Sequence, residues 1–489
     1  MQNQTLTELR RLEKQLYAYG YAQALMGCDE ATAAEVLSRA AFDLLVNDDT
    51  AALLRRAAAE AGDDARMAAE ARELQRRYDE IARIPAEEYA AFTRLVQQAV
   101  PAWGRAKRGG GFAGFAPCLE QIVAARRRQA ACFAPDRDPY EVLLDRYERG
   151  LTIADCDAFF DRLRQTILPL LEEIRRRGKP VRTDFLDQDW PLDAQRRLAR
   201  AVMEIWGLDP DHCVLAESEH PFTEGLWRGD VRITTHYMPR DMVSSLYSVA
   251  HEGGHALYEL NVDPACDYTV LAGGATMALH ESQSRLFENL VGRSRAFLRH
   301  LWPVLTDLFP AQLAGVSQEE FYRAVNRAEA GLIRTDADEL TYSLHIMVRY
   351  ELEKELIRGS LAVADLPAAW NAKYKEYLGL DVPDDARGVL QDIHWACGDL
   401  GYFPSYALGS AYAAQAWDDL DRQFGPGVLD GQLAAGNLAP LKAALRDRLW
   451  QYGAAREPAE LVRSLCGGSF DPAHYTDYLR RKYTDLYEL

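Results

Sequence analysis

Apolar residues recur at three- and four-residue steps through almost the whole of this 489-residue chain. That period is the signature of amphipathic helices packed face to face. It shows near the N-terminus in "LTELRRLEKQLYAYGYAQALM" and in "EEYAAFTRLVQQAVPAWGRAKR", and again in "CDAFFDRLRQTILPLLEEIRRRG". Residues 1–108 read as two or three long antiparallel helices, expected to form a helical lid on one large domain spanning 1–489. "RGGGFAGFAP" (108–117) interrupts the pattern as a hinge or loop. It has neither the GK[ST] ending nor the preceding strand that a phosphate-binding loop needs. Between 212 and 238 the texture changes to "HCVLAESEHPFTEGLWRGDVRITTHY", where alternating polar and apolar residues and a central Gly-Asp predict a hairpin or small sheet. A helix resumes after Asp241, a candidate N-cap. The expected fold is mostly α, with one small sheet directly before this helix.

Composition narrows the partners. Hydrophobic residues make up 48% of the chain, as in a globular protein, and the net charge of −18 argues against nucleic acid, which needs a basic face. No apolar run approaches the roughly 18 residues of a membrane helix. The polar opening "MQNQTLTELRRLEKQL" lacks a secretory pattern. The eight cysteines are scattered without a CxxC pair, so they are expected to be reduced and buried. A cytoplasmic location is the expectation.

Within "SVAHEGGHALYE" (248–259), His251 and His255 lie four residues apart. On a helix that spacing puts both imidazoles on one face, able to share a metal ion. Glu252 follows the first histidine and can reach a metal-bound water as general base. The five-residue pattern alone also occurs in helices that hold no metal. Gly253 and Gly254 each cost about 1 kcal/mol in a helix interior, which suggests close approach of another chain segment or tight helix packing. Six of the ten histidines fall between residues 212 and 280. A catalytic zinc needs a third protein ligand. The segment "ATMALHESQSRLFENLVGRSRAFL" offers Glu281 and Glu288, and Glu259 is a rival on the motif helix itself. A glutamate from a second helix closes around a metal better than one strung along the same helix.

Further phrases follow in order: "HPF" (220–222), "DVRIT" (230–234), "HEGGH" (251–255), "HESQS" (280–284), "IRTDADE" (333–339), "GVLQDIHW" (388–395) and "GYFPSYALGSAYAAQ" (401–415). With weaker matches at "DPYEVLLDRYERGLT" and "ALMGCDEAT", the chain resembles the carboxypeptidase Taq family of zinc metallocarboxypeptidases over nearly its whole length, with the motif region at 212–415. The resemblance implies His251, His255 and Glu281 as metal ligands and Glu252 as catalytic base and acid. It also implies a helical fold with a deep central groove, a homodimer, and zinc that cobalt can replace. Cys28, His236 and Phe287 depart from the family phrases, where tryptophan, arginine and tryptophan are expected.

Removal of C-terminal residues requires recognition of a free carboxylate, best done by an arginine fork. Arg334 is preferred by resemblance and Arg232 is the second candidate. A structural ion pair is the alternative role: with Asp336, Asp338 or Glu339 for Arg334, with Asp230 for Arg232. Tyr406, or Tyr402 four residues earlier, is the expected donor to the oxyanion. His220 and Gln391 are expected at the substrate. His394 and His280 are weighed between orienting a ligand and serving as satisfied buried histidines, the latter favoured for His280. The activity expected is removal of single amino acids from peptides. Dipeptidyl carboxypeptidase or oligoendopeptidase activity of a related helical zinc peptidase is the alternative.

Overall fold

The computed structural model describes residues 2–26 and 31–489. Cys28 lies outside the described residues. Helices dominate, as the apolar spacing requires. The expected small sheet has three strands: β1 (Cys213–Glu217), β2 (Thr223–Trp227) and β3 (Asp230–Thr235). Their order is β1-β3-β2, with β2 antiparallel to β3 and β1 parallel to it. The hairpin turns at Arg228-Gly229, where a Cβ on Gly229 would fall 2.4 Å from the Trp227 ring.

From β3 the chain enters the motif helix, Met242–Leu260. Asp241 caps it, accepting a hydrogen bond from the Ser244 amide at 3.0 Å. Side chains are buried around most of its circumference, so it is a central helix. Its two glycines mark two close approaches. A Cβ on Gly253 would lie 2.7 Å from Trp206, at the end of helix Leu192–Trp206; one on Gly254 would lie 2.6 Å from the Gln283 carbonyl. Gln283 belongs to helix Met277–Arg285, which carries Glu281. Helix Pro404–Phe424 crosses that helix at Gly409, where a Cβ would lie 2.6 Å from Glu281 Cγ. Phe287 packs fully buried against Trp206, ring centroids 5.4 Å apart.

One large core extends from the helices after residue 99 to the C-terminal helix, with Ala69 joining it from the N-terminal region. A smaller core gathers Leu9, Leu54, Ala57, Ala61, Met67, Ala71 and Leu74 around Val270, from the loop joining the motif helix to the Glu281 helix. The glycine-rich segment, expected as a hinge or loop, instead runs through a π turn (Ala106–Gly110) and a 3-10 turn (Phe112–Gly114) into the next helix, and breaks the helical path with positive φ at Gly109 and Gly111. It braces the segment before His394: Lys107 Nζ donates to the Gln391 carbonyl at 2.9 Å, and the Phe112 amide to Asp385 at 2.8 Å. The seven described cysteines are free, and no described helix is long and apolar enough to cross a membrane.

Candidate metal centre and active site

His251 and His255 project from one face of the motif helix toward Glu281. Their Nε2 atoms lie 3.7 and 3.4 Å from Glu281 Oε2. Ligand atoms of these three residues lie within 4.8 Å of one another, the one such group among the described residues. Both Nδ1 atoms point away and are engaged elsewhere. His251 Nδ1 sits 2.9 Å from Glu288 Oε2, and His255 Nδ1 sits 2.6 Å from His280 Nδ1. The Nε2 lone pairs are thereby aimed at a shared point. Two imidazoles and a carboxylate form a donor set suited to zinc.

Arg285 holds the far oxygen of Glu281, donating from Nε to Oε1 at 2.8 Å, and also reaches Glu288 at 3.0 Å. Burial alone would raise the Glu281 carboxyl; Arg285 and His251 outweigh it and keep the group ionised far below the usual range. Burial lowers the His255 imidazole to about 3, leaving it neutral as ligation requires.

Glu252 is buried beside the cluster, and burial pushes its carboxyl upward. Thr223 on β2 lies 2.6 Å from Glu252 Oε2. One carboxylate oxygen is thus fixed by the sheet, and this is how the strands before the motif helix serve the site.

Arg334 is 7% exposed and packs over the Tyr406 ring, its guanidinium 4.9 Å from the centroid. It pairs with Asp392, at 2.8 Å from Nη2 and 3.0 Å from Nε, and donates from Nη1 to Tyr342 at 3.1 Å. The partner is therefore none of the acids near it in sequence. Asp392 also takes the fully buried Arg349. Of the five N–H groups of Arg334 two remain, one on each terminal nitrogen. Tyr342 also lies under Arg285, 4.0 Å from its ring, and so joins the metal end to the arginine end.

Tyr406 is partly buried, its hydroxyl 3.0 Å from His394 Nε2 and its ring 5.1 Å from Tyr402. Gln391 accepts from the Arg334 amide at 2.9 Å, and its amide nitrogen faces Tyr374 and three backbone carbonyls. Arg232 is spent on Asp230 in a two-point pair at 2.9 Å on the exposed face of β3. His220 is exposed beside β2, and His236 faces the Ser218 carbonyl at 3.0 Å.

This donor set can be compared with known proteins. The profile of the carboxypeptidase Taq (M32) metallopeptidase family matches residues 25–483. The chain belongs to that family. Carboxypeptidase 1 of Bacillus subtilis is 38% identical over 415 residues, 85% of this chain and 82% of that protein. Thermostable carboxypeptidase 1 of Pyrococcus furiosus is 31% identical over 99% of both chains. The crystal structure of an M32 carboxypeptidase from Deinococcus radiodurans superposes with a TM-score of 0.94 at 36% identity, covering 99% of this chain and 100% of that one. The protein is a metal-dependent carboxypeptidase of the M32 family.

Asp392, Arg349, Thr223, Tyr342 and Arg285 escaped the sequence reading, each joining the site through a contact that spacing does not encode. A signal existed for two of them: Asp392 lies inside "GVLQDIHW" and Arg285 is four residues after Glu281. Glu288 and Glu259, weighed as third ligands, stand behind histidines instead.

Proposed function

We propose that the protein removes single amino acids from the free C-terminus of peptides, using one zinc ion, replaceable by cobalt, held by His251, His255 and Glu281. Bound there, the ion supplies Lewis acidity to the attacking water and the scissile carbonyl. Glu252 takes the water proton on the oxygen that Thr223 leaves free and delivers it to the departing amine. Tyr406, with Tyr402 as its rival, donates to the developing oxyanion. Arg334 holds the terminal carboxylate through its two remaining N–H groups, while Gln391 positions its backbone. The exposed His220, and Arg232 beyond its pair with Asp230, are assigned as contacts for longer peptides. The observation that carries this reading is the convergence of three donor atoms within 4.8 Å beside a buried glutamate fixed through one oxygen.

We further propose a cytoplasmic homodimer of one domain, in which the N-terminal helices act as a lid. The lid reading, alone among these, is supported by the separate small core of the N-terminal helices around Val270. The activity is tested with one peptide carrying either a free or an amidated C-terminus, incubated with the metal-loaded enzyme and followed by mass spectrometry. Stepwise loss of single residues from the free form alone is expected. Loss of residues in pairs would indicate a dipeptidyl carboxypeptidase. Internal cuts in both forms would indicate an oligoendopeptidase and remove the role given to Arg334.

A further inference from the structure

The two metal-binding histidines are backed differently. His251 leans on a carboxylate, Glu288, itself neutralised by Arg285 and Arg293. His255 leans on another imidazole. Its Nδ1 is 2.6 Å from His280 Nδ1, and His280 Nε2 is 2.6 Å from Glu259 Oε1. Two ring nitrogens at that separation must share one proton. If His255 offers its Nε2 lone pair to the metal, the proton must sit on its Nδ1. His280 must then accept there and donate from Nε2 to Glu259. One protonation pattern satisfies all three residues.

The surroundings are shaped around this chain. Tyr258 stacks on the His280 ring at 5.2 Å with the planes 26° apart. A Cβ on Gly274 would come 2.7 Å from His280, and one on Gly225 would come 2.8 Å from the Glu259 carboxylate. The chain also crosses between helices: His255 and Glu259 are on the motif helix, and His280 immediately precedes Glu281 on the other. It therefore ties a ligand of one helix to the residue next to the ligand of the second.

We propose that His280 and Glu259 are positioning residues that fix the tautomer and ring plane of His255 and so set the affinity of the metal site. This rests on the proposed ligand set. Outer partners of this kind are worth about 10- to 100-fold in metal affinity. The variants are His280→Leu, His280→Asn and Glu259→Gln, read by zinc affinity against a competing chelator, by the visible spectrum of the cobalt-loaded protein, and by the melting temperature of the metal-free protein. Leucine removes the acceptor and should weaken zinc binding by roughly 100-fold and shift the cobalt bands. Asparagine can place its carbonyl oxygen where Nδ1 accepted, so it should recover most of the affinity. Glu259→Gln retains an acceptor without the charge, and about a 10-fold loss is expected. Wild-type affinity in His280→Leu would overturn the proposal, as would asparagine performing no better than leucine. A lowered metal-free melting temperature with unchanged affinity would reduce His280 to a packing role and overturn it too. His255→Ala is the control for the ligand set: if it binds zinc like the wild type, the ligand assignment fails, and the relay with it.

Discussion

At the metal end, donor atoms of His251, His255 and Glu281 face one another within 4.8 Å, while Arg285 neutralises Glu281 only from its outer oxygen. At the arginine end, Arg334 and Arg349 close on Asp392, and Tyr342 takes a further N–H of Arg334. Both clusters bury charge, which costs several kcal/mol per ion unless it is compensated. The first leaves its lone pairs for an ion from outside, whereas the second spends its one carboxylate on two arginines of the same chain and keeps one positive charge over. A cluster of the first kind can lose its chemistry while keeping its fold. A cluster of the second kind loses stability first.

The sharpest test of the metal end is Glu252→Gln. Glutamine fills the same space and retains an oxygen for Thr223, and none of the proposed ligands is altered. Turnover should fall by about a thousand-fold, within the range of a lost general base, while metal content by elemental analysis and thermal stability stay near wild type. Retained activity would remove Glu252 from its assigned role.

Asp392→Asn probes the other end. Arg334 and Arg349 would keep a hydrogen-bonding partner but lose their counter-charge in a buried place. Breaking such a pair costs about 3–5 kcal/mol, read as a lower denaturant midpoint, with metal content unchanged. Substrates with free carboxylates should also bind less tightly, because Arg334 is no longer held over Tyr406. Unchanged stability would mean that another acid compensates the two arginines, and the contrast between the ends would fail.

The same contrast explains what the sequence made legible. His251, Glu252 and His255 fall within five consecutive positions of one helix, and helical geometry alone brings them together. The small sheet announced itself by its alternation, and the N-cap Asp241 by its place before an apolar run. Asp392 is 58 residues from Arg334, and the two segments meet where Gln391 accepts from the Arg334 amide and donates to the Leu332 carbonyl; local spacing pointed to Asp336, Asp338 and Glu339 instead. His280 reads as a satisfied core histidine from its own segment, because its partners Glu259 and His255 arrive from the preceding helix. Thr223 sat unnoticed after "HPF", since nothing local reveals that β2 lies against the motif helix.

A third buried cluster follows neither rule. Glu13 on helix Gln2–Met26 is 2% exposed and accepts the Val270 amide through Oε1 at 3.1 Å, while Glu70 is fully buried. The second oxygen of each carboxylate has no hydrogen-bond partner. Burial, then the charge of Glu70, raises the Glu13 carboxyl from 4.5 to about 8 despite Arg10 and Arg77. This acid is therefore accommodated by staying protonated. The folded protein keeps a proton that the unfolded chain releases near pH 4.5. The stability contribution is thus complete below that pH and is lost as pH rises toward 8. Glu13→Gln retains an acceptor for Val270 and removes the titration. At pH 5 the variant should melt close to wild type. By pH 8.5 it should be the more stable, by on the order of 4 °C, since moving the carboxyl from 4.5 to about 8 is worth about 4–5 kcal/mol and a chain this long gains about 1 °C per kcal/mol. Glu148 and Glu353, both raised by burial to about 7, titrate in both proteins, so the difference between the two melting curves isolates Glu13. Parallel curves across that range would mean that Glu13 is ionised in the folded state, and the small N-terminal core would then have to supply a counter-charge as the arginine end does.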